Sequence, residues 1–177
     1  MLIPLKQAKA FLQVGNDSEN DLIQTLTDGA EDLIARYCGL TIAPNQCGKV
    51  TERPIADGTN VLPLNVRPIH QVKSVKIVTN GDMVDPNFYQ IVPTGLLASA
   101  GNWGQGAGMY EVNYTGGLTH RTLPPGMRTA MLLFLRQVYH DARSDLEQGT
   151  LALSGIRIDG EIQRLLVPYK MVIRSFC

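Results

Sequence analysis

The 177-residue chain has the length of one domain, and 44% of its residues are apolar, enough to build a core. Sixteen Lys and Arg cancel sixteen Asp and Glu, so the basic excess by which proteins grip nucleic acid phosphates is missing and general DNA binding is disfavoured. No apolar run reaches the roughly 18 residues of a membrane span, and no basic-then-apolar leader opens the chain, so the expectation is a soluble protein of the cytoplasm, or of something assembled there.

The first expected element is a helix from Pro4, a favoured first-turn residue, to Val14, with Leu5, Ala8, Phe11 and Leu12 on one face. Gly15-Asn16-Asp17 then turns the chain into the stretch around which the rest is organised, Asn16–Gly39. There Leu22, Ile23, Leu26, Ala30, Leu33, Ile34 and Tyr37 recur with the 3.6-residue period and paint one apolar stripe. Gln24, Thr27, Asp28, Glu31 and Arg36 fall opposite, where water is expected. Asp17 or Ser18 supplies the N-cap, Ser18 with Asp21 approximates a capping box, and Gly39 ends the helix in the left-handed conformation. Two helices joined by so short a turn pack as a hairpin.

From Thr41 to Gly117 the texture changes to glycines, prolines and short β-branched runs. Strands are expected at Lys49–Arg53, Asn60–Leu64, Val72–Thr79, Tyr89–Val92, near Leu96–Ser99 and at Tyr110–Tyr114. The run Val72–Val78 mostly alternates, as a half-buried antiparallel strand requires. Asn80-Gly81 signals a two-residue hairpin. Helix returns at Pro124-Pro125-Gly126, with Met127, Ala130, Met131, Phe134, Leu135, Val138 and Ala142 on one stripe that ends near Ser144. Glu147–Ile158 reads as a long loop, mobile or ordered by a partner. A short helix at Gly160–Val167, stopped by Pro168, precedes the apolar, β-prone tail Met171–Cys177.

The expected fold class is therefore α+β, mainly an α-helical bundle: two N-terminal helices, a third long helix and a short C-terminal helix, with a small antiparallel β-sheet inserted. One domain is expected, with the bundle at 1–40 and 123–170, the β insertion at 41–118 and the tail at 171–177.

Chemistry is hard to find. Gly101–Gly108 resembles a phosphate loop only superficially, because a strand follows it where a phosphate site needs a helix N-terminus, and no Gly-Lys-Ser/Thr is present. Trp103, the single tryptophan, is either a core anchor or a contact residue. His70, His120 and His140 belong to no catalytic pattern, and Asp17, Glu19 and Asp21 suit the positive end of a helix better than a metal. Cys38, Cys47 and Cys177 lack ligand spacing; Cys38 and Cys47 can in principle pair across a loop, but without a secretory signal free thiols are favoured. No catalytic residue, cofactor or metal is expected.

The order of pieces nonetheless resembles a family. The helix pair Leu5–Gly39, then Leu62-Pro63-Leu64 and Arg67-Pro68-Ile69-His70-Gln71-Val72-Lys73-Ser74-Val75, is similar to the N-terminal half of head–tail connector (adaptor, or head-completion) proteins of long-tailed bacteriophages. Asp85–Ile91, Val112–Gly117, Leu123–Leu133 and Leu165–Lys170 resemble that family's turn-and-Tyr strand, its strand-plus-glycine close, the start of its third helix and its closing Pro-Tyr-basic stop. Departures are the glycine loop around Trp103 and the segment Glu147–Ile158.

The resemblance implies a structural, non-catalytic virion protein of the neck, made in the host cytoplasm, that forms a homo-oligomeric ring, commonly twelvefold, under the portal protein. It implies a stopper or tail-completion protein as the partner below, genomic DNA passing through the bore and no membrane partner. Ring neighbours meet through a heterologous, closing interface, for which the exposed faces of the two long helices are suited. The tail Met171, Val172, Ile173, Arg174, Ser175, Phe176 and Cys177 is the candidate portal-docking segment, able to add a strand to a portal sheet or to pack on its own domain. Trp103, Gln105, Gln148, Thr150 and Leu151 are the candidate neighbour-side or tail-side loop residues. Competing readings are a stopper or tail-completion protein, which is usually smaller and richer in strand, a DNA-packaging accessory, which needs a basic surface, and a small enzyme, which lacks a site.

Overall fold

The structure, a computed structural model, describes residues 2–43, 48–148 and 157–170, with the backbone alone at 145–148. Among the described residues, four α-helices and eight strands fall into two compact units: a helical one, running up to Cys38 and resuming at His120–Lys170, and a β one, Gly39–Thr119.

The helical unit consists of α1 (Leu5–Leu12), α2 (Asn20–Tyr37), α3 (Pro125–Gln148) and α4 (Gly160–Leu166). Pro4 precedes α1 in an extended conformation, and its carbonyl accepts the N–H groups of Gln7 and Ala8. α2 starts later than its spacing suggests, and no side chain caps it. Asp17, expected as that cap, instead accepts from Lys9 Nζ at 2.7 Å and from Asn20 Nδ2 at 3.2 Å, which fastens α1 to the turn. α3 packs against α1, α2 and α4. Met127, Ala130, Met131, Phe134, Leu135 and Val138 are buried along it, and the buried Tyr139 donates its hydroxyl proton to Glu19.

The buried face of α2 is wider than its apolar stripe, because Thr27 and Glu31, expected in water, are both inside. Thr27 satisfies itself by donating Oγ1–H to the Ile23 carbonyl at 2.6 Å. Glu31 Oε1 accepts the backbone N–H groups of Leu2 and Ile3, at 2.8 and 2.6 Å, two buried amides that no helix or strand serves. Burial pushes the Glu31 carboxyl above its ordinary value of 4.5, against the pull of those two amides. Glu31→Ala strands both amides and is expected to cost about 2–3 kcal/mol in urea melts. Glu31→Gln keeps an Oε1 acceptor. A raised folded pKa means stability is highest below 4.5 and falls as pH rises through the window up to the folded value. The glutamine variant lacks that loss, so it should gain on the wild type between pH 4 and pH 7; parallel pH profiles would contradict this. Gly29 lies mid-helix on the exposed side of α2, and a Cβ there meets nothing within 4 Å. Gly29→Ala is expected to raise stability by about 0.5–1 kcal/mol, read as an upward shift in melting temperature.

The β unit contains three antiparallel sheets. One is β1 (Lys49–Glu52), β8 (Tyr110–Gly116) and β4 (Ile69–Ile77), with β8 central. A second is the short pair β2 (Ile55–Ala56) and β7 (Gly106–Ala107). The third is β3 (Val61–Pro63), β6 (Gly95–Ala98) and β5 (Tyr89–Val92), with β6 central. In β8 buried and half-buried residues alternate strictly, so Tyr110, Val112 and Tyr114 point into a core shared with Leu62, Leu64, Val75, Leu96 and Trp103. The turn after β4 is wider than a two-residue hairpin: Gly81, at φ 80°, bonds back to Ile77, and Ile77 N–H reaches Asp82. The two ends of the unit meet, because Leu118 N–H donates to Thr41 and Ala43 N–H donates to Leu118, around a parallel bridge of Ile42 with Leu118.

The fold is thus α+β but not mainly a helical bundle carrying a small sheet; that expectation is corrected. Three sheets enclose a core of their own in the β unit. Each long helix stands out by one sustained period, whereas most strands are two to four residues long and their apolar residues become neighbours only in space, so a core shared by three sheets does not register in the sequence.

Candidate interaction surfaces

Trp103 sits in the core of the β unit, 2% exposed. Its ring meets Phe88 and Tyr110 edge-to-face at 5.3 and 5.1 Å, with Tyr89 at 6.1 Å. Its Nε1–H donates to the Leu96 carbonyl at 2.9 Å, and its backbone N–H to Thr59. The glycines around it let the chain bend inward; a Cβ at Gly104 would lie 3.0 Å from the Tyr110 hydroxyl, which instead accepts the Gly104 N–H. Trp103 therefore nails the glycine loop to the core, and Gly101, Asn102, Gly104 and Gln105 are its exposed part. Gln148 is the last residue of α3, and only its backbone is described. Thr150, Leu151 and the tail Met171–Cys177 lie outside the described residues.

The inner face of β8 is fixed by a carboxylate. Glu52 accepts the Tyr114 hydroxyl at 2.6 Å together with the backbone and side-chain amides of Asn65. Burial, then the Glu52 carboxylate, push the Tyr114 phenol well above its ordinary value, so it stays a proton donor. The same hydroxyl accepts Val66 N–H, which locks the 65–66 turn onto the sheet.

The outer face of the β1–β8–β4 sheet is polar and open. Across it run Thr51, Asn113 and Ser74, linked at 2.6 and 3.2 Å, and beside them Arg53, Glu111 and Lys76, in which Arg53 grips Glu111 at 2.8 Å. Lys49, Arg53, Lys73 and Lys76 are exposed there. Sequence reading noticed the alternation in β4 but missed this face, because its members lie on three strands far apart in the chain. On α2 the exposed side carries Asp21, Asp28 and Asp32.

Nothing among the described residues suggests catalysis by geometry. His120 Nδ1 and His70 Nε2 each contact a backbone carbonyl, Leu2 at 2.8 Å and Gly117 at 3.0 Å. A cavity of about 430 Å³ along α1 is lined by Leu5, Lys6, Lys9, Ala10, Val14 and Asp17, and its one half-buried ammonium, Lys9, is already engaged by Asp17 and Asn20. No group of three or more His, Cys, Asp or Glu among the described residues can hold a metal ion. No helix among them is long and apolar enough to cross a membrane.

A family model described as "Head completion protein" matches residues 1–170. No curated protein matches the sequence. Among solved structures the fold is similar to a chain in the neck of an empty GTA particle computed with C6 symmetry, with TM-score 0.66 and 15% identity over 97% of this chain and 90% of that one. It is similar to a chain in the virion of a native gene transfer agent (GTA) particle, at TM-score 0.62 and 14% identity over 97% and 90%. A third likeness, in the neck of a native GTA particle computed with C12 symmetry, has TM-score 0.60 and 15% identity over 96% and 92%.

Proposed function

We infer, given that this chain belongs to the head completion protein family, that it is a structural adaptor in the neck of a tailed-phage virion or a related particle. The observation that carries the reading is the family match over nearly the whole chain, and the likeness in fold to neck chains over 97% of its length supports it. Copies form a homo-oligomeric ring under the portal protein and receive a stopper or tail-completion protein below, and genomic DNA passes through the bore. Twelve subunits is the expected number; the C6 and C12 symmetries of the similar neck structures support it. The role is architectural, exercised in the virion after assembly in the host cytoplasm. A balanced net charge suits a bore through which DNA slides without being held.

In this reading Met171–Cys177 docks on the portal by strand addition, and the loop residues Gln105, Gln148, Thr150 and Leu151 face a neighbour or the tail. Deleting Met171–Cys177 should leave the melting transition in place and abolish portal binding; retained binding would remove the tail from the reading.

The test of the function is negative-stain microscopy of the protein mixed with isolated portal rings. Added density with ring symmetry on the narrow end of the portal is the expected result. Bare portals beside unbound protein would shift the assignment to a component lower in the neck or tail.

A further inference from the structure

The outer face of the β1–β8–β4 sheet carries a half-buried polar row between two rows of exposed cations, a trough of charge. The middle strand presents Glu111, Asn113 and Thr115, all half-buried; on one side stand the exposed cations Lys49, in β1, and Arg53, just past its end, and on the other Lys73 and Lys76 of β4. Strands lie about 4.8 Å apart, so the two cationic rows are about 10 Å apart, and each extends about 10–13 Å along its strand. That width is about the diameter of an α-helix with its side chains.

A helix of matching charge is present on the same chain. Asp21, Asp28 and Asp32 are exposed on α2, and their spacing at 3.6 residues per turn puts them within a narrow arc about 16 Å long. Glu111, on the middle strand of the trough, is held by Arg53, and the cation at the end of the acidic strip, Arg36, is held by Asp32 at 3.0 Å. Lys73, Lys76 and Asp21 make no ion pair among the described residues.

We propose that the acidic strip of α2 in one copy docks in the cationic sheet trough of the next copy. Each copy then offers its helix to one neighbour and its sheet to the other, a heterologous contact that closes into a ring. This rests on the ring reading above and names the two surfaces that would make the ring. A second copy is favoured over nucleic acid because the complement, in sign and width, is on the chain itself. With the cations at the rims of the trough, the charges set register and encounter rate and leave the contact sensitive to salt.

The experiment uses the full chain, with mass photometry in solution and microscopy on portal rings, at low and high salt. Asp21→Lys with Asp28→Lys, and separately Lys73→Glu with Lys76→Glu, should each abolish copy–copy assembly while circular dichroism stays native. Mixing the two variants, or combining all four substitutions in one chain, re-creates opposite charges across the contact and should restore it. Wild-type assembly should weaken between about 0.05 and 0.5 M salt. Assembly that ignores both reversals, or folded variants that the swap does not rescue, would overturn the proposal and leave the ring reading standing. A wild-type protein that never rings a portal would instead sink the ring reading itself. Lost retention on DNA with assembly intact, for the lysine reversals, would make the trough a nucleic acid surface and overturn the proposal.

Discussion

Gly95→Ala is expected to unfold the β unit. Gly95 opens β6 between Pro63 of β3 and Val92 of β5, so backbone approaches it from both sides. A Cβ there would run into the Leu62 carbonyl oxygen and sit 2.8 Å from its carbon and 3.0 Å from the Pro63 Cα. These are main-chain atoms fixed by the Leu62–Leu96 register, and no rotamer relieves them. Overpacking by side chains costs about 1–3 kcal/mol; a clash with fixed backbone in a central strand exceeds that and approaches the stability of a small unit. Trp103 is the only tryptophan and lies in the affected core, so its fluorescence reads the outcome directly. Red-shifted emission in buffer with no cooperative urea transition is the expected result. Native emission with an unchanged urea midpoint would refute it.

Trp103→Ala should cost about 3–5 kcal/mol, the usual loss when a large buried aromatic is removed. Three aromatic rings lose their partner, and the Leu96 carbonyl loses its donor. Trp103→Phe restores part of the packing but cannot donate to Leu96, and should cost about 1–2 kcal/mol. Circular dichroism in urea checks both variants. The phenylalanine variant separates anchoring from recognition: for a buried anchor, stability falls and binding by the folded fraction is unchanged. Weakened partner binding at undiminished stability would contradict the burial.

What could be read in the sequence was whatever is local. The stripe from Leu22 to Tyr37 and the one from Met127 to Ala142 each lie within one helix, because a single period repeats over several turns. The six expected strands all occur, with ends shifted by up to three residues. The pair of two-residue strands β2 and β7 was invisible because two residues have no period. Glu31 illustrates a deeper limit: helical spacing put it in water, and the amides of Leu2 and Ile3, brought from 29 and 28 residues away, explain why a carboxylate is buried there. Trp103 was equally open between anchor and contact until three aromatic neighbours from separate strands and turns closed around it. The trough on the sheet was not legible for the same reason. Lys73 and Lys76 read as the polar half of an alternating strand, and Arg53 as the end of a separate one.

The meeting of Thr41 and Ala43 with Leu118 has a consequence for how the chain becomes ordered. The helical unit is discontinuous, with α1 and α2 on one side of the β unit and α3 and α4 on the other. Were Gly39–Thr119 an unstructured loop, closing it to assemble the helices would carry the full chain-closure entropy. Once the β unit has folded, its ends are already adjacent, and the effective loop shrinks to a few residues. That is roughly four halvings of loop length at about 0.6 kcal/mol each, or about 2.5 kcal/mol returned to the helical unit without one added contact. The strand-end clasp thus lets the β unit act as a cross-link for the helices. Loosening it would destabilise α2 against α3 even though none of its atoms belongs to either helix.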